Sequence, residues 1–177
     1  MSDVLLLGDP RLRLRSQEVE SYDEHAFAEL AATLETFRRA HGFGRAISAP
    51  QIGIPQRFIA VHLLHQPFFI VNPVITWRSE ETFTMWDDCM SFPDLLVRVR
   101  RAQSISLDYV DEHGHPHQWS DLDQAAAELL QHEIDHLDGI LAVDRALDRD
   151  ALVLRGVYAA DRERFDAQVD YTIIPTV

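Results

Sequence analysis

Between Gln131 and Leu141 the chain reads QHEIDHLDGIL, which sets His132, Glu133 and His136 in the pattern H-E-x-x-H. On an α-helix, residues four apart lie on one face, a turn above one another. Two imidazoles at that spacing can face one metal ion, and Glu133 beside them can reach a water held there. Two neutral nitrogen ligands and an adjacent carboxylate base are the parts of metal-assisted hydrolysis. A surface helix can carry the same letters by chance, so the elements around the motif matter.

The motif needs a helix. Ser120 reads as an N-cap, with Asp123 three residues on as in a capping box. Helix formers run from Gln124 to Leu130. Leu122, Ala126, Leu129, Leu130, Ile134 and Leu137 can anchor the helix to a core, and Gly139 is placed to stop it. Upstream, Tyr22 to His41 shows helical spacing through Ala26, Phe27, Leu30, Leu34 and Phe37. Between these helices the pattern turns to β. Expected strands run Arg57–Leu64, Phe68–Ile75, Glu81–Cys89, Leu95–Arg101 and Ser104–Val110, with a turn at Asp111–Pro116 and a return strand at His117–Ser120. A further helical pattern covers about Arg149 to Gln168, and the tail from Tyr171 to Val177 reads extended. Strands first and a site-bearing helix later predict an α+β fold, largely antiparallel sheets around a central helix carrying the motif.

The 177 residues suit one domain, 1–177, with a single core. The formal net charge is −13, and all 16 basic residues are arginine. Such a balance argues against nucleic-acid binding, which wants clustered basic residues. The densest cluster, Arg98, Arg100 and Arg101, reads as strand edges and salt bridges. No apolar run is long enough to cross a bilayer, and MSDVLLLGDPRLRLR does not read as a signal peptide. The expectation is a cytoplasmic protein with no membrane partner. His113, His115 and His117 alternate around Gly114 and Pro116 and read as an exposed turn rather than a metal site. Trp77, Trp86 and Trp119 read as core.

A catalytic metal usually takes three protein ligands and keeps one position open. Downstream, the position where some zinc proteases have a third histidine is Ala142, and Asp144, Asp148 and Asp150 read more simply as solvated charges. Upstream stands the sole cysteine, Cys89, in WDDCMSFPD. Composition alone favours a small buried hydrophobe there, but the surrounding letters point elsewhere. GRAISAPQ (Gly44–Gln51), DDCMS (Asp87–Ser91) and QHEIDHLDG (Gln131–Gly139) occur in order. Together they resemble the three motifs of the peptide deformylases, metal-dependent hydrolases that remove the formyl group from the N-terminal methionine of new proteins. DPRLR, VNPVI and LDGILAVDR extend the resemblance over nearly the whole chain.

The resemblance implies a peptide deformylase-like fold with Cys89, His132 and His136 as metal ligands and Glu133 as general base. Hydroxide made at the metal would attack the formyl carbon, while Gln51 and the backbone N–H of Met90 hold the developing oxyanion. Gln131 would sit behind the site, and Arg101 falls where the family has a substrate-contacting arginine. Iron(II) is implied, with zinc, nickel or cobalt fitting the same geometry. The partner would be an N-formylated peptide or nascent chain, and the protein a monomer.

Four departures bear on the groove. Arg45 takes a usually apolar position, Ala46 replaces a glycine after Gly44, Ser48 replaces an alanine, and Asp87-Asp88 stands for a Glu-Gly pair. Strand alternation puts Asp87 on the Cys89 face and Asp88 on the other. The expectation is an Arg45–Asp88 pair across the groove. Two alternatives follow: a related hydrolase for a different, smaller N-formyl or N-acyl substrate, or a binding protein that keeps the metal without turnover. Retained Glu133 and Gln51 argue against the second.

Overall fold

The computed structural model describes residues 3–63 and 67–173. Helix α1 (Glu24–His41) starts at Asp23, whose carboxylate accepts from the His25 N–H at 2.9 Å, and ends at Gly42 in the left-handed region. Then come β1 (Ala46–Ser48), β2 (Phe58–Val61), β3 (Phe68–Arg78), β4 (Thr82–Asp88), β5 (Leu95–Ala102), β6 (Ile105–Val110) and β7 (Pro116–Trp119). Helix α2 (Gln124–Leu137) carries the motif. One sheet has the order β1-β2-β3-β6-β7. The other joins β4 and β5 to β8 (Leu152–Leu154). All these pairings are antiparallel, and the fold is α+β as expected. Leu64, expected at the end of a strand, and residues 174–177 of the tail lie outside the described residues.

Strand alternation explains the layers. Ile59 and Val61 of β2 face the core shared with α2, while Phe58 and Ala60 face the one shared with α1. Every residue of α2 from Ala126 to Leu137 is buried, so the helix runs through the centre. All six apolar anchors expected of it join one cluster with Ile59, Ile70, Ile105 and Leu107. Gly139 follows α2 at φ +73°, and a Cβ there would come within 2.5 Å of the Arg13 carbonyl oxygen. That position is closed to any other residue.

Three expectations need correction. Ser120 does not cap α2. Asp123 does, its carboxylate accepting from the Ala126 N–H at 2.9 Å. Leu122 is buried and its N–H donates to Ile105 O at 2.9 Å, and Asp121 before it bends at φ +51°, so the chain after Ser120 is pinned to β6 before the helix begins. The run from Arg149 to Gln168 is not one helix. Leu152–Leu154 pairs with Leu95–Val97 because β5 has an open edge, and α3 (Arg155–Ala160) and α4 (Arg162–Asp166) are separated by Asp161 at φ −143°. Trp77 is 48% exposed rather than core. It lies beyond a bulge on the part of β3 that no longer pairs with β2.

Candidate active site

The i, i+4 spacing on α2 brings the Nε2 atoms of His132 and His136 to 3.2 Å. Cys89, just past the end of β4, puts its Sγ 3.3 Å from the His136 Nε2. These ligand atoms all lie within 4.8 Å of one another, and all three residues are buried. Nitrogen and sulfur at tetrahedral zinc-like bond lengths would stand about 3.3–3.6 Å apart, so the donor set fits one metal ion. Burial pushes the Cys89 thiol up, although contacts with His132 and the Ser91 N–H pull the other way. A ligating thiolate therefore needs a cation's charge beside it.

Behind the ligands runs a chain of charges. Asp87 points to the Cys89 side of β4, as alternation requires, and its Oδ2 is 3.0 Å from His132 Nδ1. That contact puts the ring proton on Nδ1 and turns the Nε2 lone pair toward the cluster. Arg101 donates to Asp87 at 3.0 Å and to Asp135 at 2.5 Å. Arg145 grips Asp135 with two N–H groups at 2.6 and 2.5 Å. Burial alone would raise the Asp87 carboxyl, but His132 and Arg101 hold it well below the usual range. Burial lowers the His132 pKa, and Asp87 and Cys89 more than reverse this. His136 is driven down by burial and by His132.

On the opposite side, Gln51 sits in a 3-10 turn, Ala49–Ile52. Its Oε1 accepts from the Ser48 N–H at 2.9 Å, which turns the amide NH2 toward Cys89 Sγ at 3.6 Å and Ser91 Oγ at 3.2 Å. Glu133 is buried, and burial raises its pKa against the pull of His132 and Ser48. The Ser48 hydroxyl lies 2.5 Å from Glu133 Oε2 and 2.9 Å from the Glu133 carbonyl oxygen.

These groups open on a cavity of about 490 Å³ that Arg45, Glu128, Met90 and Arg155 also line. Arg45 ion-pairs with Glu128 and donates to Ala125 O at 3.2 Å. Asp88 pairs with Arg155 at 3.2 Å. The expected Arg45–Asp88 pair is therefore not formed. Glu128, one turn before His132, reaches Arg45 first, and α3 brings its own arginine to Asp88. Burial raises Glu128 to about 7 although Arg45 opposes it. Gly44 has φ +114°, and a Cβ there would stand 2.6 Å from the Met90 methyl, so this bend in the wall requires glycine.

The model of the polypeptide deformylase family matches residues 1–151. The peptide deformylase of Thermotoga maritima is 34% identical over 155 residues, 88% of this chain and 93% of that protein. That of Treponema pallidum is 37% identical over 81% of this chain and 86% of its own length. The chain belongs to the polypeptide deformylase family. The crystal structure of the Thermotoga maritima deformylase superposes with a TM-score of 0.76 at 33% identity, covering 84% of this chain and 99% of that one. The deformylase of Synechococcus elongatus, solved with actinonin, gives 0.76 at 28% identity over 90% and 85%. Like its deformylase relatives, the chain is a hydrolase, and the family is metal-dependent.

Within this deformylase fold Cys89, His132, His136, Glu133, Gln51, Met90, Gly44, Arg45, Ala46, Asp87 and Asp88 share the cavity or touch a group in it. Two residues named from sequence lie outside the cavity wall, Gln131 having been expected behind the site. Arg101 does not line the cavity but lies buried between Asp87 and Asp135. Gln131 bonds the Ala102 N–H and carbonyl, both at 3.0 Å, and so fastens α2 to β5. Among the wall residues that sequence reasoning missed are Glu128 and Arg155. The spacing of Glu128 from His132 was a usable signal, whereas nothing local marks Arg155. His115 and His117 contact Asp111 in an exposed turn. Among the described residues no helix is long and apolar enough to cross a membrane.

Proposed function

We propose that the chain removes the formyl group from the N-terminal residue of nascent peptides, with Cys89, His132 and His136 holding one divalent cation. The observation that carries this reading is the convergence of a thiol and two imidazoles beside a buried glutamate. When bound, the cation acidifies water and polarises a carbonyl. Asp87 keeps the proton of His132 on Nδ1, so that Nε2 stays free to ligate. Glu133 takes the proton of the attacking water and returns it to the amine as the formyl C–N bond breaks, giving formate and a free N-terminus. The Gln51 amide and the Met90 backbone N–H donate to the formyl oxygen as charge develops on it. Pre-positioned donors of this kind contribute about 3–4 kcal/mol each. The edge of β1 beside Gly44–Ala46 offers backbone groups to an extended peptide. The family resemblance, rather than the donor set, favours iron(II) over zinc, nickel or cobalt. The reading takes residues 1–177 as one cytoplasmic, monomeric domain that binds no nucleic acid.

The test is an anaerobic assay of the iron(II) protein on formyl-Met-Ala-Ser, with small N-formyl and N-acetyl amino acids alongside. Turnover of the peptide is expected, and Glu133→Ala should keep its metal while losing about 10²–10⁴-fold in kcat. An active Glu133→Ala would remove Glu133 from the mechanism. Metal binding with no turnover of any substrate would favour a binding protein.

A further inference from the structure

The cavity wall next to the ligands is an ion pair. Glu128 lies four residues before His132, so it sits on the same face of α2, about one turn or roughly 6 Å away along the axis. Arg45 closes on it from the segment before β1, and the two side chains are 9% and 1% exposed. Both line the cavity that holds Cys89, His132 and Glu133. A formyl group at the ligand cluster puts the next residue's Cα two bonds on, with its side chain over the neighbouring turn. A side chain directed along α2 toward that turn would meet Arg45 and Glu128, which line the cavity there.

A guanidinium carries five N–H donors, and the wall contacts engage Nη1 with Ala125 O and Nη2 with Glu128 Oε1. An apolar side chain laid on the pair strips water from a charged donor and returns no hydrogen bond. A carboxylate meets a guanidinium that Glu128 already partners, in a cavity where Asp87, Asp88, Asp94 and Asp166 outnumber Arg155 and Arg162. A neutral acceptor bonds to Arg45 without adding negative charge. Resting on the deformylase reading above, we infer that this cavity prefers, at the residue bearing the formyl group, a side chain tipped with a neutral hydrogen-bond acceptor over an apolar or anionic one.

The test compares formyl-X-Ala-Ser with X as glutamine, norleucine, methionine and glutamate, on metal-loaded wild type and on the double variant R45L/E128L. Wild type should cleave the glutamine peptide with a higher kcat/KM than the norleucine or glutamate peptide. In the double variant the glutamine-to-norleucine ratio should fall by about tenfold or more. Calorimetric Kd values of the deformylated products on wild type should follow the same order. A wild type that favours norleucine, in rate and in product binding, overturns the inference whether or not the variant folds. So does a ratio unchanged in R45L/E128L or, if that variant is insoluble, in R45M. Hydrolysis of none of the four peptides by metal-loaded wild type would instead overturn the deformylase reading, and this inference with it.

Discussion

Arg45 and Arg101 flank the helix that carries the histidines, Arg101 buried and Arg45 half-buried, each against carboxylates. Arg101 stands behind the ligands, held between Asp87 and Asp135, with Arg145 closing the far end. Arg45 stands in front, in the cavity wall, with Glu128 as its ion-pair partner. Burial disfavours both cations, and in each case the acidic partners outweigh it. The difference lies in what the far side of each pair touches. Asp87 passes the position of Arg101 on to His132. Among the described residues the Arg45–Glu128 pair hydrogen-bonds no metal ligand, and it meets whatever enters the cavity. The rear assembly fixes geometry, and the front one sets the chemistry of the wall.

The sharpest way to break this comparison is to remove each charge. Arg101→Leu leaves Asp87 and Asp135 buried with less compensation and should cost about 3–5 kcal/mol in urea unfolding. Removing both partners of the front pair leaves no uncompensated charge. R45L/E128L should unfold at a urea midpoint equal to or above that of wild type, since well-packed apolar replacements of buried pairs are neutral or stabilising. Equal losses in the two variants would show that the front pair is as structural as the rear one.

A smaller effect separates the two at the metal. Asp87→Asn weakens the hold on His132 and should lower metal affinity about 10–100-fold, because groups that orient a ligand are worth that much. Glu128→Gln, four residues from the same histidine, should change it by less than about threefold. Competition with a chelating dye reads both. A large loss in Glu128→Gln would mean that the wall also positions the ligand.

How much of this was legible in the sequence differs between the same two regions. His132, Glu133 and His136 share a face by helix geometry alone, and alternation along β4 sends Asp87 toward Cys89. Local periodicity therefore reached the ligands and the carboxylate behind them. It did not reach the partners. Asp88 meets Arg155 across 67 positions of chain, and Arg45 meets Glu128 across 83. Pairs so distant depend on how the sheets pack, and an Arg45–Asp88 pair satisfied charge balance equally well on paper. The run after Arg149 misled for a similar reason. Its helical spacing is real, but the open edge of β5 recruits Leu152–Leu154 as a strand, a tertiary demand that overrides local preference. Ser48, noted in the sequence only as standing where the family has an alanine, contacts Glu133 because β1 packs on α2.

The smallest effect is one of sign with pH, in metal-free protein. Glu128 is raised from its ordinary 4.5 to about 7, so between those values the folded state holds a proton that the unfolded state has released. Its contribution to stability is fully present below about pH 4.5 and is lost as pH rises through 7. Asp87 is depressed below its ordinary 3.8, so its contribution is present above that value and lost as pH falls toward the folded pKa. The two carboxylates thus tilt the stability curve in opposite directions. Urea midpoints measured from pH 3 to pH 8 should show the advantage of wild type over Glu128→Gln shrinking between about pH 4.5 and 7. The advantage over Asp87→Asn should shrink only on the acid side, below about pH 4. A Glu128→Gln difference flat across the neutral range would show that Arg45 keeps Glu128 ionised throughout. The wall would then be a fixed ion pair rather than one that loosens as Glu128 takes up a proton.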